Sequence, residues 1–189
     1  RYRRLRASIL CGIGRHADSA PELAACLAED ERLLGDQHVE TAMARAMLAM
    51  AYNAAGRYAE ALESARRGWR ALQALLGSAH PRTIQGGNAY ASALFNLGRF
   101  AEQTQVLDEL LATGRSLWGE RHPRVALLLT WQGAGLIGLQ RAADAVPLLR
   151  LAAEIYDAAD PADDLGSPNT LATLGDAFVA LGRDEEALA

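Results

Sequence analysis

Apolar residues recur three and four positions apart along almost the whole chain, in stretches broken by glycine-bearing turns. Spacing of this kind lines the apolar side chains along one face of a helix. The stretches come in pairs, and the pair repeats every 42 residues, from Gly14 to Gly56 to Gly98. Gly182 keeps that register, each of these glycines is followed by arginine, and Gln140-Arg141 fills the remaining slot. A second set has the same period: Gly35, Gly77 and Gly119, followed by His38, His80 and His122. A fixed period of this length signals an array of similar supersecondary units.

Counting from the Gly-Arg slot separates packing columns from open ones. Seven positions before it stand Ala7, Ala49, Ala91, Gly133 and Gly175, all small. Four before it stand Leu10, Tyr52, Leu94, Leu136 and Phe178, all large. Five after it stand Ser19, Ala61, Gln103, Ala145 and Ala187, mostly small. Small residues let two helices approach closely, and large ones fill the space beside them. The pattern predicts first helices of each pair (helices A) over 1–12, 39–54, 81–96, 123–138 and 168–180. Second helices (helices B) are predicted over 16–33, 58–75, 100–117 and 142–158, with a stub from Asp184. The repeats then run 1–34, 35–76, 77–118, 119–160 and 161–189, the last truncated.

Turn chemistry agrees with these boundaries. Pro81 and Pro123 fall at first helical positions, where a missing N–H costs nothing. Gly56, Gly98 and Gly182 suit the left-handed residue that closes a helix. Pro21 and Pro147 share a column near the start of a helix B, where proline is tolerated. The acidic stretch 159–167 lacks the His-Pro turn and reads either as a functional excursion or as a degenerate linker. Both chain ends fall inside a helical register and are expected to continue into a longer protein.

The small-large-Gly-small columns, with the turn Leu76-Gly77-Ser78-Ala79-His80-Pro81-Arg82-Thr83, resemble the tetratricopeptide repeat of the 42-residue kinesin light chain-like type, here of bacterial kind. The resemblance covers essentially the whole chain. It implies an all-α, right-handed superhelical solenoid of antiparallel helix pairs, forming one domain over 1–189. It also implies that helices A line a concave groove. Carried over by register, the groove positions are thirteen, ten, six and three residues before the Gly-Arg slot. They give Asn53, Gln85, Asn88, Ser92, Phe95, Met50 and Thr130 as partner-binding candidates. Met43 and Ala46 belong to the same set, as do Leu127, Ala134 and Ile137, then Asn169, Ala172, Asp176 and Val179. An amide donates and accepts at once, which suits an extended peptide backbone. Methionine adapts to varied apolar shapes. The lysine and paired asparagines of a carboxylate-clamp groove are absent. Arg1 and Arg4, with Ser8 and Cys11, belong to the first groove-lining helix and offer a basic contact.

Composition narrows the function. The net charge is −4, and all 19 cations are arginine. That balance gives no electrostatic case for nucleic acid. No uninterrupted apolar run is long enough to span a membrane. Cys11 and Cys26 do not form a secreted disulfide framework, and a cytoplasmic location is expected. Gly133-Ala134-Gly135-Leu136-Ile137-Gly138 spells a dinucleotide fingerprint, but the register sets it inside a helix rather than on a strand-to-helix turn. Its glycines are expected to soften that helix. Equivalent histidines in successive units lie roughly 9 to 18 Å apart across packed helices, too far to share a metal. A turn-stabilising role is expected for them. Cys26 falls in an interior column with Gly68, Leu110 and Ala152. No catalytic constellation, metal set or cofactor motif emerges, so the chain reads as a non-enzyme. Three readings remain: a protein- or peptide-binding module of a larger regulatory protein, a small-ligand sensor controlling an attached DNA-binding or kinase domain, and a self-assembly scaffold joined through its repeat ends.

Overall fold

The computed structural model describes residues 6, 7, 9, 10, 15–159, 170–183 and 187. Among them there are eight complete helices and no strand: α1 His16–Leu34, α2 Val39–Ala54, α3 Tyr58–Leu76, α4 Pro81–Asn96, α5 Phe100–Trp118, α6 Pro123–Gly138, α7 Ala142–Asp157 and α8 Thr170–Ala180. Residues 6, 7, 9 and 10 are helical as well. The predicted limits of these eight helices agree to within two residues, whereas the limits of the predicted helix 1–12 and the start of the stub from Asp184 lie outside the described residues. The acidic stretch 159–167 lies outside the described residues except for Ala159.

Every described helix except α7, whose C-cap is Ala158, stops for a reason written in the two turn registers. Gly56, Gly98 and Gly182 adopt φ of +75°, +69° and +68°. That left-handed turn lets the next N–H reach back along the helix. Arg57 N–H bonds Tyr52 O at 2.8 Å, Arg141 N–H bonds Leu136 O at 2.8 Å, and Arg183 N–H bonds Phe178 O at 2.9 Å. Gln140 holds the same conformation at φ +61° although it carries a side chain, at a cost of about 1–2 kcal/mol. The following arginine then pairs with an acid in the first turn of the next helix: Arg57 with Glu60, Arg99 with Glu102, Arg141 with Asp144. Hydrogen bonds from Arg57 and Arg99 hold the Glu60 and Glu102 carboxyls below their ordinary range. These pairs are exposed, and exposed pairs contribute little to stability.

The second glycine register ends the longer helices. Gly35, Gly77 and Gly119 have φ of +85°, +79° and +87° with ψ of 168°, 166° and 165°, a region essentially closed to other residues. The chain then turns extended at His38, His80 and His122, whose Nδ1 atoms accept the N–H of Glu40, Arg82 and Arg124 at 3.2, 3.1 and 3.1 Å. Each histidine is therefore an N-cap, filling with an imidazole the role usually given to a short polar side chain. Pro81 and Pro123 follow at the first helical position.

The helices group into two compact units, Arg1–Leu97 and Gly98–Ala189. In the first, α2 packs between α1 and α3, and α4 packs on α2 and α3. In the second, α6 packs between α5 and α7, and α8 packs on α7 and α6. Apart from the α7–α8 connection, the turns within each unit are short, so the helices they join run antiparallel. The columns behave as read: Ala49, Ala91, Ala61 and Ala145 are wholly buried, and Leu94, Leu136 and Phe178 fill the cores beside them. Arg45 is a buried exception on α2, 3% exposed. Burial disfavours its charge, but bonds to the Glu31 and Asp36 carboxylates outweigh that, so the guanidinium holds its proton more tightly than usual.

The glycines of α6 have a different role from the softening expected of them. A Cβ on Gly133 would sit 2.6 Å from Leu149 Cγ, and one on Gly138 would sit 2.7 Å from Phe100 Cδ2. A Cβ on Gly135 would fall onto the Gln103 side-chain oxygen. All three are points of close approach, which compensate for the cost of glycine in a helix. Gln103 is fully buried in a column of small residues. It fits because Gly135 vacates the space and because its Nε2 donates to Trp131 O at 2.9 Å. The equivalent positions in the preceding repeat are Ala61 and Ala93, both wholly buried.

Gly135→Ala alone should cost about 1–3 kcal/mol through overpacking. Adding Gln103→Ala should recover most of that loss by recreating the Ala61/Ala93 arrangement. Denaturant unfolding of the two singles and the double would then give a favourable coupling of about 1–3 kcal/mol. Additive effects would contradict the paired packing.

Candidate functional site

The face shared by α2 and α4 gathers most of the groove candidates. These helices pack side by side, and register brings Asn53 of α2 to Ser92 of α4, with Asn53 Nδ2 donating to Ser92 Oγ at 3.4 Å. Asn88 lies one turn before Ser92, Gln85 one turn before Asn88, and Phe95 one turn after Ser92. Gln85 is exposed, while Asn53, Asn88, Ser92 and Phe95 are half-buried. The amide oxygens of Asn53 and Asn88 are shielded from solvent and have no hydrogen-bond partner among the described residues. Leaving such an acceptor unmet costs about 1–3 kcal/mol. Two acceptors in want of donors therefore lie just beneath this face.

An apolar strip lies beside them. Met50 is 47% exposed and Met47 is 40% exposed, with Met43 half-buried on the same side of α2. Residues four and three apart share a helix face, so the three methionines form one flexible apolar surface. Register assigned position 46 to the open face and missed Met47. In the structure Ala46 is 3% exposed and packs with Ala49, Ala65 and Ala89. Met43, Met50 and Asn53 keep the expected phase, so the register fails only at position 46, where Ala46 is covered by Ala65 and Ala89 of the neighbouring helices.

The second unit departs further from the expectation. Thr130 is not an open groove residue: it is 4% exposed. Its hydroxyl donates to Ala126 O at 2.9 Å and lies 3.0 Å from Thr170 Oγ1, so it ties α6 to α8. Leu127, Ala134 and Ile137 are half-buried, and Ala172, Asp176 and Val179 are exposed. Arg1, Arg4, Ser8, Cys11 and Asn169 lie outside the described residues. Cys26 is buried, as its interior column implies. Among the described residues, no three His, Cys, Asp or Glu side chains are grouped to hold a metal. No described helix is long and apolar enough to cross a membrane.

Comparison with known proteins places this architecture. Residues 2–74 match the family model of the tetratricopeptide repeat. Among solved structures, the chain is similar to a kinesin light chain protein with nearly identical TPR-like repeats from Podosopora anserina. That match has 21% identity and a TM-score of 0.80, and covers 100% of this chain and 89% of that one. It is also similar to BtubC (BKLC) from P. vanneervenii, at 19% identity and a TM-score of 0.76, over 96% of this chain and 72% of that one. A TPR-like protein from Chlorobium tepidum matches at 20% identity and a TM-score of 0.59, over 78% of this chain and 94% of that one. Identities this low speak for the fold alone. None of the curated proteins matches the sequence.

Thermal unfolding separates the framework threonine from the open methionine. Thr130→Ala should destabilise by about 1–3 kcal/mol, since it removes the buried hydroxyl contact that ties α6 to α8. Met50→Ala should stay within about 0.5 kcal/mol of the parent. Equal effects would contradict the assignment of these two residues.

Proposed function

We propose that this chain, a tetratricopeptide-repeat protein built on the 42-residue kinesin light chain-like unit, docks an extended protein or peptide segment on the α2–α4 face. Tetratricopeptide repeats mediate protein–protein interactions, and the fold is a scaffold for binding rather than for catalysis. The observation that carries the finer reading is the pair of shielded, unpartnered amide oxygens on Asn53 and Asn88. A peptide main chain brings N–H donors at regular intervals, and an amide side chain can meet both its donors and its acceptors. Ser92 and Gln85 extend the polar track along α4. Phe95 and the methionines of α2 take apolar side chains of the segment, methionine adapting to more than one shape. In this reading the chain is the regulatory part of a larger cytoplasmic protein, and partner occupancy of the face is the signal.

A random peptide library displayed on phage and selected against the folded domain supplies the probe. Calorimetry of the selected peptides should show Asn88→Ala/Phe95→Ala binding about tenfold to a hundredfold more weakly, the loss expected for one hydrogen bond and one aromatic anchor. Arg150→Ala, on α7, should bind as the parent does, and melting curves would verify that each variant is folded. Unchanged affinity of the double variant for every selected peptide overturns the α2–α4 face as the site.

A further inference from the structure

On the other side of α2, the first unit carries an open cleft with no part in the reading above. It runs between α1 and α3, with α2 as its floor. Two cavities of about 260 and 310 Å³ make it up, and Arg45 and Arg67 line both. Together they fall in the range that small ligands occupy. The two ends differ in character. Leu27, Leu48 and Tyr52 form an apolar wall in the first, opposite a rim of Glu31, Glu60, Glu63 and Ser64, while Arg67, Arg70 and Gln37 line the second.

The charges in the cleft are not all spent. Glu31 and Asp36 are bound to the buried guanidinium of Arg45. Glu60 pairs with Arg57, and Glu63 pairs with Arg66. Every acid along the cleft is thus paired with a cation, Glu31 and Asp36 sharing Arg45. Arg67 and Arg70 have no acidic partner among the described residues, and they stand three apart on the same face of α3. Arg45 cannot swing out to serve a ligand, because its N–H groups also hold Asp36 O at 3.3 Å. It fixes the α1–α2 turn and so sets the width of the cleft. What is left is a pair of free forks at one end and an apolar wall at the other, on a chain whose net charge is −4.

We infer that this cleft is a second binding site, for a small organic carboxylate: the carboxylate bridges Arg67 and Arg70, and its apolar body lies along Leu27, Leu48 and Tyr52. Guanidinium forks match a carboxylate in geometry as well as charge. The apolar end rejects a fully hydrated anion such as inorganic phosphate, which would leave that wall uncovered. Because the cleft and the α2–α4 face share α2, occupancy here bears on the same helix that carries Met50 and Asn53. The site stands on its own evidence and does not require the peptide reading.

The test uses the protein with methyl-labelled leucine, titrated with 4-phenylbutyrate and with decanoate as carboxylate probes. The neutral 4-phenylbutyramide is the control. Saturable shifts at the Leu27 and Leu48 methyls are expected with both acids. The amide should bind about tenfold more weakly or less, as should Arg67→Ala/Arg70→Ala with either acid, given the strength of charge-assisted bonds. Both arginines are exposed, so the double variant keeps its fold, which circular dichroism would verify. Raising the salt concentration should weaken binding further. No saturable shift with either acid, equal binding of acid and amide, equal binding by the arginine variant, or shifts confined to other leucines would each overturn the site.

Discussion

Every helix boundary that the two glycine registers govern depends on a backbone state that few residues can enter. Among the described residues, six glycines and Gln140 hold positive φ, and they stand at the two turn positions of the repeat. Each stops a helix at a fixed phase, so the next helix starts with its apolar face already aimed at its neighbour. The histidine caps and N-terminal prolines act downstream of that turn. They satisfy orphan donors once the chain has reversed, but they do not decide where it reverses. The packing columns have meaning only because this phase is kept from one repeat to the next.

The same phase decides what is left open. A helix with two packed sides has one stripe remaining, and on α2 and α4 that stripe holds Asn53, Met50, Gln85, Asn88 and Ser92. In the second unit the corresponding stripe is partly absorbed, because Thr130 meets Thr170 in the interior. The two units therefore share a framework without sharing a surface. Fold resemblance alone cannot carry a site from one unit to the other. Function has to be argued from the amides and methionines that this chain places on the first unit.

Much of this was legible in the sequence, and what was not has a common cause. Helix limits could be read because turn glycines, His-Pro starts and apolar columns are local signals repeated in register. The left-handed conformation of Gln140 could be read from its slot, although its side chain argues against it. The role of Gly133, Gly135 and Gly138 could not, since close approach depends on which side chain stands opposite. Gln103 and Gly135 are far apart in the chain, and each looks like a local oddity until they meet. Arg45 gave no warning either: its column holds Gly87 and Leu129 elsewhere, and its burial rests on Glu31 and Asp36 arriving together. Ala46 is covered and Met47 left open because Ala65 and Ala89 of other helices close over position 46. Local chemistry thus survives translation into structure, and pairwise chemistry between helices does not.

The central claim is that the register is held by backbone conformation at the turn glycines rather than by contacts they make. Gly77 isolates this claim, since a Cβ there would meet nothing within 4 Å. Its φ of +79° and ψ of 166° leave strain as the only cost of a side chain. The thermal midpoint of Gly77→Ala is the direct measurement. A loss of about 1–3 kcal/mol is expected, lowering the midpoint by about 2–10 °C for a chain of this size. An unchanged or raised midpoint, as when alanine replaces a glycine whose conformation it can adopt, would contradict the account.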